Sequence, residues 1–395
     1  MPWKNESLYE QRLKFIRQVQ GNKTSLSELC RRWSISRKTA YKWLDRLDAG
    51  GRLGLRDRKR QASRVFNRPP PRWLNRIRRW RRLHPTWGAP KLHWVLQRRF
   101  GEKGLPSEAA ISRWLKHWGL SRKRRRTRPK GPRIERPPLT QPQLPNDVWT
   151  VDFKGWFRTG DGTRIEPLTI RDLASRYILA VEMLERQSVA AARKIFEQVF
   201  KEYGLPLVIR ADNGSPFGAT GALGLTRLSA WWVKLGIQVE FTAPGHPEQN
   251  GAHEQMHRVY LQEAAHPPAP TWRSQRDRNK YWRQQYNHQR PHEGIGMRLP
   301  GEVYRKSDRR LPLRLKHFEY SLAWASRLVK GKGMISLEGS RRFVGEAFEG
   351  ERVGLKPVRP GVWEVYFGKR LIGELNDQDA TPGIRAAWYR QGRRR

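Results

Sequence analysis

The sequence predicts a multidomain α/β protein, with helical modules first, a mixed α/β core in the middle and a small β-rich domain last. Length is the first reason: 395 residues exceed the ~250–300 at which one core stops growing. Patterning is the second. Apolar residues recur at helical spacing up to about residue 120, as mixed strand and helix over 146–305, and as short strands beyond 325. Charge is the third: 80 Lys and Arg against 36 Asp and Glu leave a net +44. Such a chain repels itself unless it holds a polyanion, with nucleic acid ahead of an acidic membrane surface. A single cysteine, Cys30, excludes a disulfide framework and a Cys-based zinc cluster. Met1 to Phe15 lacks a signal-peptide core. No apolar run approaches the ~20 residues of a membrane span. The expectation is a cytoplasmic protein bound to nucleic acid, without disulfides or a membrane.

Residues 1–60 form the first module. Leu8, Phe15, Ile16 and Val19 fall on one helical face. Leu29, Cys30 and Trp33 make a second, short face, and Ser34-Ile35-Ser36 interrupts it. Ser36 then caps a helix with Ala40, Trp43 and Leu44 inward. That is a helix-turn-helix pattern. Its outward residues, Arg37, Lys38, Tyr41 and Lys42, are the expected DNA contacts. Residues 70–120 repeat the theme. The basic stretch Arg72–Arg82 looks helical, Trp87–Gly101 is amphipathic, and Leu105–Leu120 opens on a Pro-Ser cap. Ile111, Leu115 and Trp118 share one side there, and Arg113 and Lys116 lie on others as candidate DNA contacts. A helical spacer is the alternative. Residues 121–145 read as a basic, proline-broken linker that tracks phosphates, through Arg122, Lys123, Arg124, Arg125 and Arg126 above all.

The core spans 146–305. Strands are expected at Trp149–Gly155, Leu168–Arg171 and Tyr177–Met183, with a hairpin turn at Thr159–Thr163. A helix at 188–203, a strand at Leu207–Ala211, a helix at 226–235 and a strand at Ile237–Phe241 follow. A Pro/Gly loop then runs into a helix containing Glu254. This order resembles the ribonuclease H-like fold. In that fold the first and fourth strands end side by side, and a helix after the fifth brings a third carboxylate to them. Asp152, Asp212 and Glu254 fit those places. An Asp within a hydrophobic strand is costly unless something neutralises it. Divalent cations do so, and carboxylate oxygens suit Mg²⁺ or Mn²⁺.

The segments WTVDF, RADNGSPF, PGHPEQNGAHEQMHR and YNHQRPHEGIGMRLPGEVY resemble bacterial insertion-sequence transposases with a retroviral-integrase-type DDE core. The resemblance extends over nearly the whole chain. It implies Asp152, Asp212 and Glu254 as catalytic and metal-ligating residues, with two Mg²⁺ or Mn²⁺ ions per site. It implies water cleavage at transposon ends, then attack of the freed 3′-hydroxyl on target DNA. Asn213, Gln249, Asn250 and Arg258 would contact DNA. The partners implied are double-stranded DNA (terminal inverted repeats and target) and further copies of the chain assembled on it. An SH3-like β-barrel at 325–385 is implied as well. Two departures stand out. Asp212 and Glu254 are 42 positions apart, a longer interval than many relatives have, and residues 218–225 are the candidate extra loop. Leu261 occupies the place where relatives often carry a Lys or Arg.

Two other readings compete. A chain with a decayed core would bind DNA sequence-specifically without cutting it. His253-Glu254-Gln255-Met256-His257 also matches HExxH, a zinc metalloprotease pattern, without a third ligand in the usual extension. Under the transposase reading both histidines line the DNA groove or pack locally. Asp172 is expected to close a strand and cap a turn, Asp161 to sit in the hairpin, and Tyr281, Trp282 and Tyr286 to be core. The turn Arg290-Pro291-His292 has no chemical role legible in the sequence.

Overall fold

The computed structural model describes residues 7–57, 70–121, 139–242, 250–379 and 383–386. The chain divides into two compact units, Met1–Arg68 and Pro69–Arg395.

In the first unit, α1 (Leu8–Gln20), α2 (Leu26–Arg32) and α3 (Arg37–Gly54) are each capped by the serine before them. Ser7, Ser25 and Ser36 accept a backbone N–H three residues on, which satisfies one orphan donor per helix. Phe15, Ile16, Leu29, Cys30, Ala40 and Trp43 are buried together. Between α2 and α3 the chain turns through Ser34, with φ +49°, and Ile35 N donates to Cys30 O at 3.0 Å. The expected helix-turn-helix is thus present. Leu8, expected inward, is 61% exposed. It opens the first turn, and the buried stripe begins lower down the helix, at Phe15 and Ile16.

The second unit opens with α4 (Pro71–Leu83), α5 (Ala89–Phe100) and α6 (Glu108–His117). Trp73, Ile77, Leu92, Leu96, Ile111 and Leu115 form their core. Ser107 caps α6 by accepting from Ala110 N.

The central sheet follows: β1 (Val148–Phe153), β2 (Phe157–Arg158), β3 (Arg164–Asp172) and β4 (Ile178–Leu184). Then come α7 (Val189–Tyr203), β5 (Val208–Ala211), α8 (Arg227–Lys234) and β6 (Gln238–Phe241). Next are α9 (Gly251–Tyr260), extended by a π-turn at Leu261–Ala265, α10 (Trp272–His288) and α11 (Pro300–Val303). Strands run β4-β3-β1-β5-β6, and β2 pairs with the start of β3. β1 is antiparallel to β3 and parallel to β5. This is the ribonuclease H-like order the sequence suggests. Asp161 and Asp172 hold turns as expected. Asp161 accepts from Thr163 N, and buried Asp172 accepts from Asn146 N and Ser175 N.

The C-terminal region has β7 (Ala325–Leu328), β8 (Met334–Leu337), β9 (Ser340–Phe343), β10 (Arg352–Arg359), β11 (Val362–Phe367), β12 (Arg370–Asn376) and β13 (Arg385–Ala386). The expected barrel is an antiparallel sheet, β13-β12-β11-β10-β7, beside the β8-β9 hairpin. Among the described residues the pairing does not close on itself. The sheet packs against the core. Ala222 and Leu225 of the 218–225 stretch, with Ala230 and Val233 of α8, share a cluster with Val353, Leu355 and Phe367. Lys234 pairs with Glu351 at 2.7 Å across that junction. The 218–225 stretch and α8 together therefore form the surface on which the C-terminal sheet packs.

Candidate active site

Asp152 lies near the end of β1 and Asp212 directly after β5. The β1–β5 register pairs Thr150 with Arg210, which brings Asp152 level with Asp212 two residues further on. Glu254 is half-buried in the first turns of α9, and its carboxylate has no hydrogen-bond partner among the described residues. Burial, and then the nearby charge of Asp212, push the Asp152 carboxyl up to about 7, with Glu254 adding a smaller push. Burial also raises Asp212, against a backbone hydrogen bond from Gly214 that lowers it. A Cβ on Gly214 would lie 3.1 Å from Asp212 Oδ2 and crowd it, whereas glycine leaves that oxygen room.

Beneath Asp152 runs a polar chain that the sequence reading missed. Thr169 faces Asp152 across β3 and donates from Oγ1 to Asp152 O at 3.0 Å. Nε2 of His253 and Nε2 of His257 each sit 2.7 Å from the same hydroxyl oxygen. With the Thr169 proton committed to Asp152, both Nε2–H groups donate to it. His253 Nδ1 then accepts from Thr150 Oγ1, at 2.7 Å. The remaining nitrogen, His257 Nδ1, presents a lone pair 3.6 Å from Asp152 Oδ2. Burial keeps both rings neutral, His257 down at about 3 and His253 well below its ordinary value. A neutral nitrogen facing a carboxylate oxygen is a repulsive pair, relieved by a proton or a cation.

One ligand atom each from Asp152, His253 and His257 lies within 4.8 Å of the others. The zinc-protease reading does not survive this geometry. Both nitrogens of His253 are engaged by threonine hydroxyls, and its side chain is fully buried. The histidines pack locally and anchor α9, helped by the wholly buried Arg171, which donates to Ala252 O. The signal for this chain was present as Thr150-x-Asp152 on one strand face and His-x-x-x-His on one helix face.

Of the expected DNA contacts, Arg37, Lys38, Tyr41 and Lys42 are exposed on α3, and Arg113 and Lys116 on α6. Asn213 is exposed beside Asp212, and Arg258 is exposed on α9. Asn250 precedes α9, with its Oδ1 buried and unpartnered among the described residues. Arg122 through Arg126 and Gln249 lie outside the described residues, as does most of the 121–145 linker.

The Arg290-Pro291-His292 turn acquires a structural role. Arg290 is buried, pairs with Glu263 at 2.9 Å and donates to Thr86 Oγ1 at 2.8 Å. Trp282 Nε1 donates to the other Glu263 oxygen, and Lys91 Nζ donates to Pro291 O at 2.8 Å. The turn thus latches the second helical module to the core. Trp282 and Tyr286 are buried as expected, whereas Tyr281 is 64% exposed. On α10 it stands one position before buried Trp282 and itself reaches solvent.

Comparison with known proteins follows the same division. Integrase core domain families match residues 142–247 and 235–300. A helix-turn-helix domain family matches residues 11–63, and a homeodomain-like family matches 39–115. The C-terminal domain of IS481 family transposases matches residues 325–381. The uncharacterized 31.7 kDa protein of insertion element IS407 from Burkholderia multivorans is 27% identical over 221 residues, covering 56% of this chain and 76% of that one. The uncharacterized 39.2 kDa protein of insertion element IS476 from Xanthomonas euvesicatoria is 30% identical over 178 residues, covering 45% of this chain and 49% of that one. Among solved structures, the HTLV-2 integrase catalytic core domain in complex with magnesium covers 42% of this chain and all of its own, at 17% identity and a TM-score of 0.32. Helix-turn-helix, integrase core and IS481-type C-terminal domain families thus match this chain in that order, each over its own segment, and the chain is similar to insertion-element proteins with an integrase-type core.

Proposed function

We propose that this protein is a DDE transposase, cutting DNA at the ends of its element and joining the freed 3′-hydroxyl to target DNA. The observation that carries the reading is the Asp152 carboxyl, pushed up to about 7 beside Asp212 and facing an imidazole lone pair. That is a site short of positive charge at neutral pH. Asp152, Asp212 and Glu254 are the residues that would hold Mg²⁺ or Mn²⁺, and their hard oxygens fit such ions. When bound, two ions supply Lewis-acid activation of the attacking oxygen and neutralise charge on the phosphate.

The protein's own residues do the positioning. The Thr150–His253–Thr169–His257 chain ties α9 to the strands that carry Asp152 and its neighbours, which supports a place for Glu254 near the Asp152 carboxylate. Gly214 leaves Asp212 Oδ2 open. No side-chain nucleophile is required, because water and then the 3′-hydroxyl attack phosphorus in turn. Arg37, Lys38, Tyr41 and Lys42 on α3, with Arg113 and Lys116 on α6, contact the terminal inverted repeats. Asn213, Asn250 and Arg258 contact DNA near the cut, and Gln249 and Arg122 through Arg126 continue that path. Two ends require two such sites, so the working form is a multimer assembled on DNA.

The test is nicking and joining of a duplex carrying the element's own ends, with Mg²⁺ or Mn²⁺ present. Wild type acts, and Asp152→Asn, Asp212→Asn and Glu254→Gln bind the ends without cutting. Wild-type protein that binds the ends and never cuts them sinks the activity and leaves a DNA-binding protein with a decayed core.

A further inference from the structure

We infer that the cleft between α4 and α10 binds an unpaired nucleotide strand, phosphates on its arginines and a base on Tyr281. The inference rests on the reading of the chain as a DNA-processing protein and adds a site for a form of DNA that the reading does not specify.

The cleft has a volume of about 670 Å³ and lies where the second helical module meets the core. Arg79 and Arg82 of α4, Arg99 of α5 and Arg278 of α10 line it. None of the four pairs with a carboxylate among the described residues. Glu263 is the acid in the lining, and Arg290 already neutralises it, at 2.9 Å. The cleft therefore carries uncompensated positive charge in a concave wall, which focuses the field on an anion.

Charge alone would suit any phosphate. The apolar surface around the charge narrows the choice. Tyr281 is 64% exposed and Leu83 62% exposed, both on the cleft wall, and Phe100 is 39% exposed beside them. Aromatic and aliphatic groups left in water among arginines match a ligand with flat apolar faces as well as phosphates. A duplex hides its base faces in the stack and offers phosphates outside. An unpaired strand offers both, and aromatic platforms flanked by basic side chains are how such strands are held. The size agrees: roughly 300–1,000 Å³ accommodates a ligand of drug size, on the scale of one or two nucleotides. The floor is rigid, since Trp282 and Arg290 are both tied to Glu263 and Thr86 is bonded into the same network.

The test uses the full chain in EDTA, so that no cutting intervenes. A fluorescent blunt duplex is compared with the same duplex carrying a short unpaired thymidine tail. Wild type binds the tailed duplex more tightly. Tyr281→Ala weakens tailed binding about tenfold and leaves blunt binding unchanged, while Tyr281→Trp retains it. Arg79→Ala with Arg82→Ala lowers the salt slope on the tailed duplex by about 1.4, two single-strand phosphates' worth. Equal binding of blunt and tailed duplex by wild type overturns the inference. So does an equal loss on both substrates in the variants, which would assign the cleft to duplex phosphates. Protein that binds the tail through Tyr281 yet never cuts in Mg²⁺ leaves the cleft standing and sinks the proposed activity. Protein that binds neither DNA overturns both.

Discussion

Asp152→Asn should make the protein more stable at alkaline pH, and the gain should shrink as pH falls. The Asp152 carboxyl titrates at about 7 in the fold against 3.8 for the free side chain. Between these values the folded state binds the extra proton, so unfolding free energy falls as pH rises through that window. The stability is complete below pH ~4 and lost as pH passes ~7. The rise from 3.8 to about 7 is worth roughly 4 kcal/mol. The side chain is 24% exposed, and solvent screening reduces the expected difference to roughly 2–4 kcal/mol at pH 8. Asparagine cannot ionise, so the variant lacks this slope. Urea unfolding of wild type and Asp152→Asn from pH 4 to pH 8 measures it. The difference between the two proteins should be smallest at the acid end and grow with pH. Mg²⁺ should close it from the wild-type side, because a ligand of the folded state alone stabilises that state. A difference independent of pH would refute the reasoning, as would Mg²⁺ stabilising both proteins equally.

Three further outcomes follow from the same geometry. Arg290→Ala leaves the Glu263 carboxylate buried without its cation and should cost about 3–5 kcal/mol in urea unfolding, with part recovered by adding Glu263→Gln; a cost below about 1 kcal/mol would mean the latch carries little. Thr169→Val strips the acceptor from two imidazole N–H groups and should cost about 1–3 kcal/mol for each one left unsatisfied, a range that differential scanning calorimetry resolves. Arg37→Ala should lower the salt slope of duplex binding by about 0.9 if it neutralises one phosphate, and an unchanged slope would remove it from the interface.

The sheet and its helices were legible because their signals are local. Val148–Phe153 and Val208–Ala211 are short, largely apolar runs bounded by turn residues, and Ser36 and Ser107 mark helix starts by their capping. The three carboxylates could be proposed from sequence because Asp152 and Asp212 stand at or after strand ends and Glu254 in the first turns of a helix. What lay beyond reach was cross-chain. His253 and His257 matched a five-residue zinc pattern, and only the approach of Thr150 and Thr169 from two strands reveals that both nitrogens of His253 and one of His257 are taken. Arg290 had no visible partner because Thr86 lies 204 positions earlier. Residues 218–225 stood only as a candidate extra loop, since their Gly/Ala/Leu content gives no hint of the sheet they pack against. Tyr281 passed for core because aromatic residues on either side of a helix stripe look alike until the partner surface is known.

The central claim is that Asp152, Asp212 and Glu254 hold a divalent cation together, and Fe²⁺-directed backbone cleavage tests it most directly. Fe²⁺ substituted into the site, with ascorbate and peroxide, cuts the chain next to its ligands. Fragments ending near residues 152, 212 and 254, suppressed by Mg²⁺ and absent in Asp152→Asn, are the predicted result. Cleavage confined to the neighbourhood of His253 and His257 would contradict it, and so would a pattern that Mg²⁺ does not suppress.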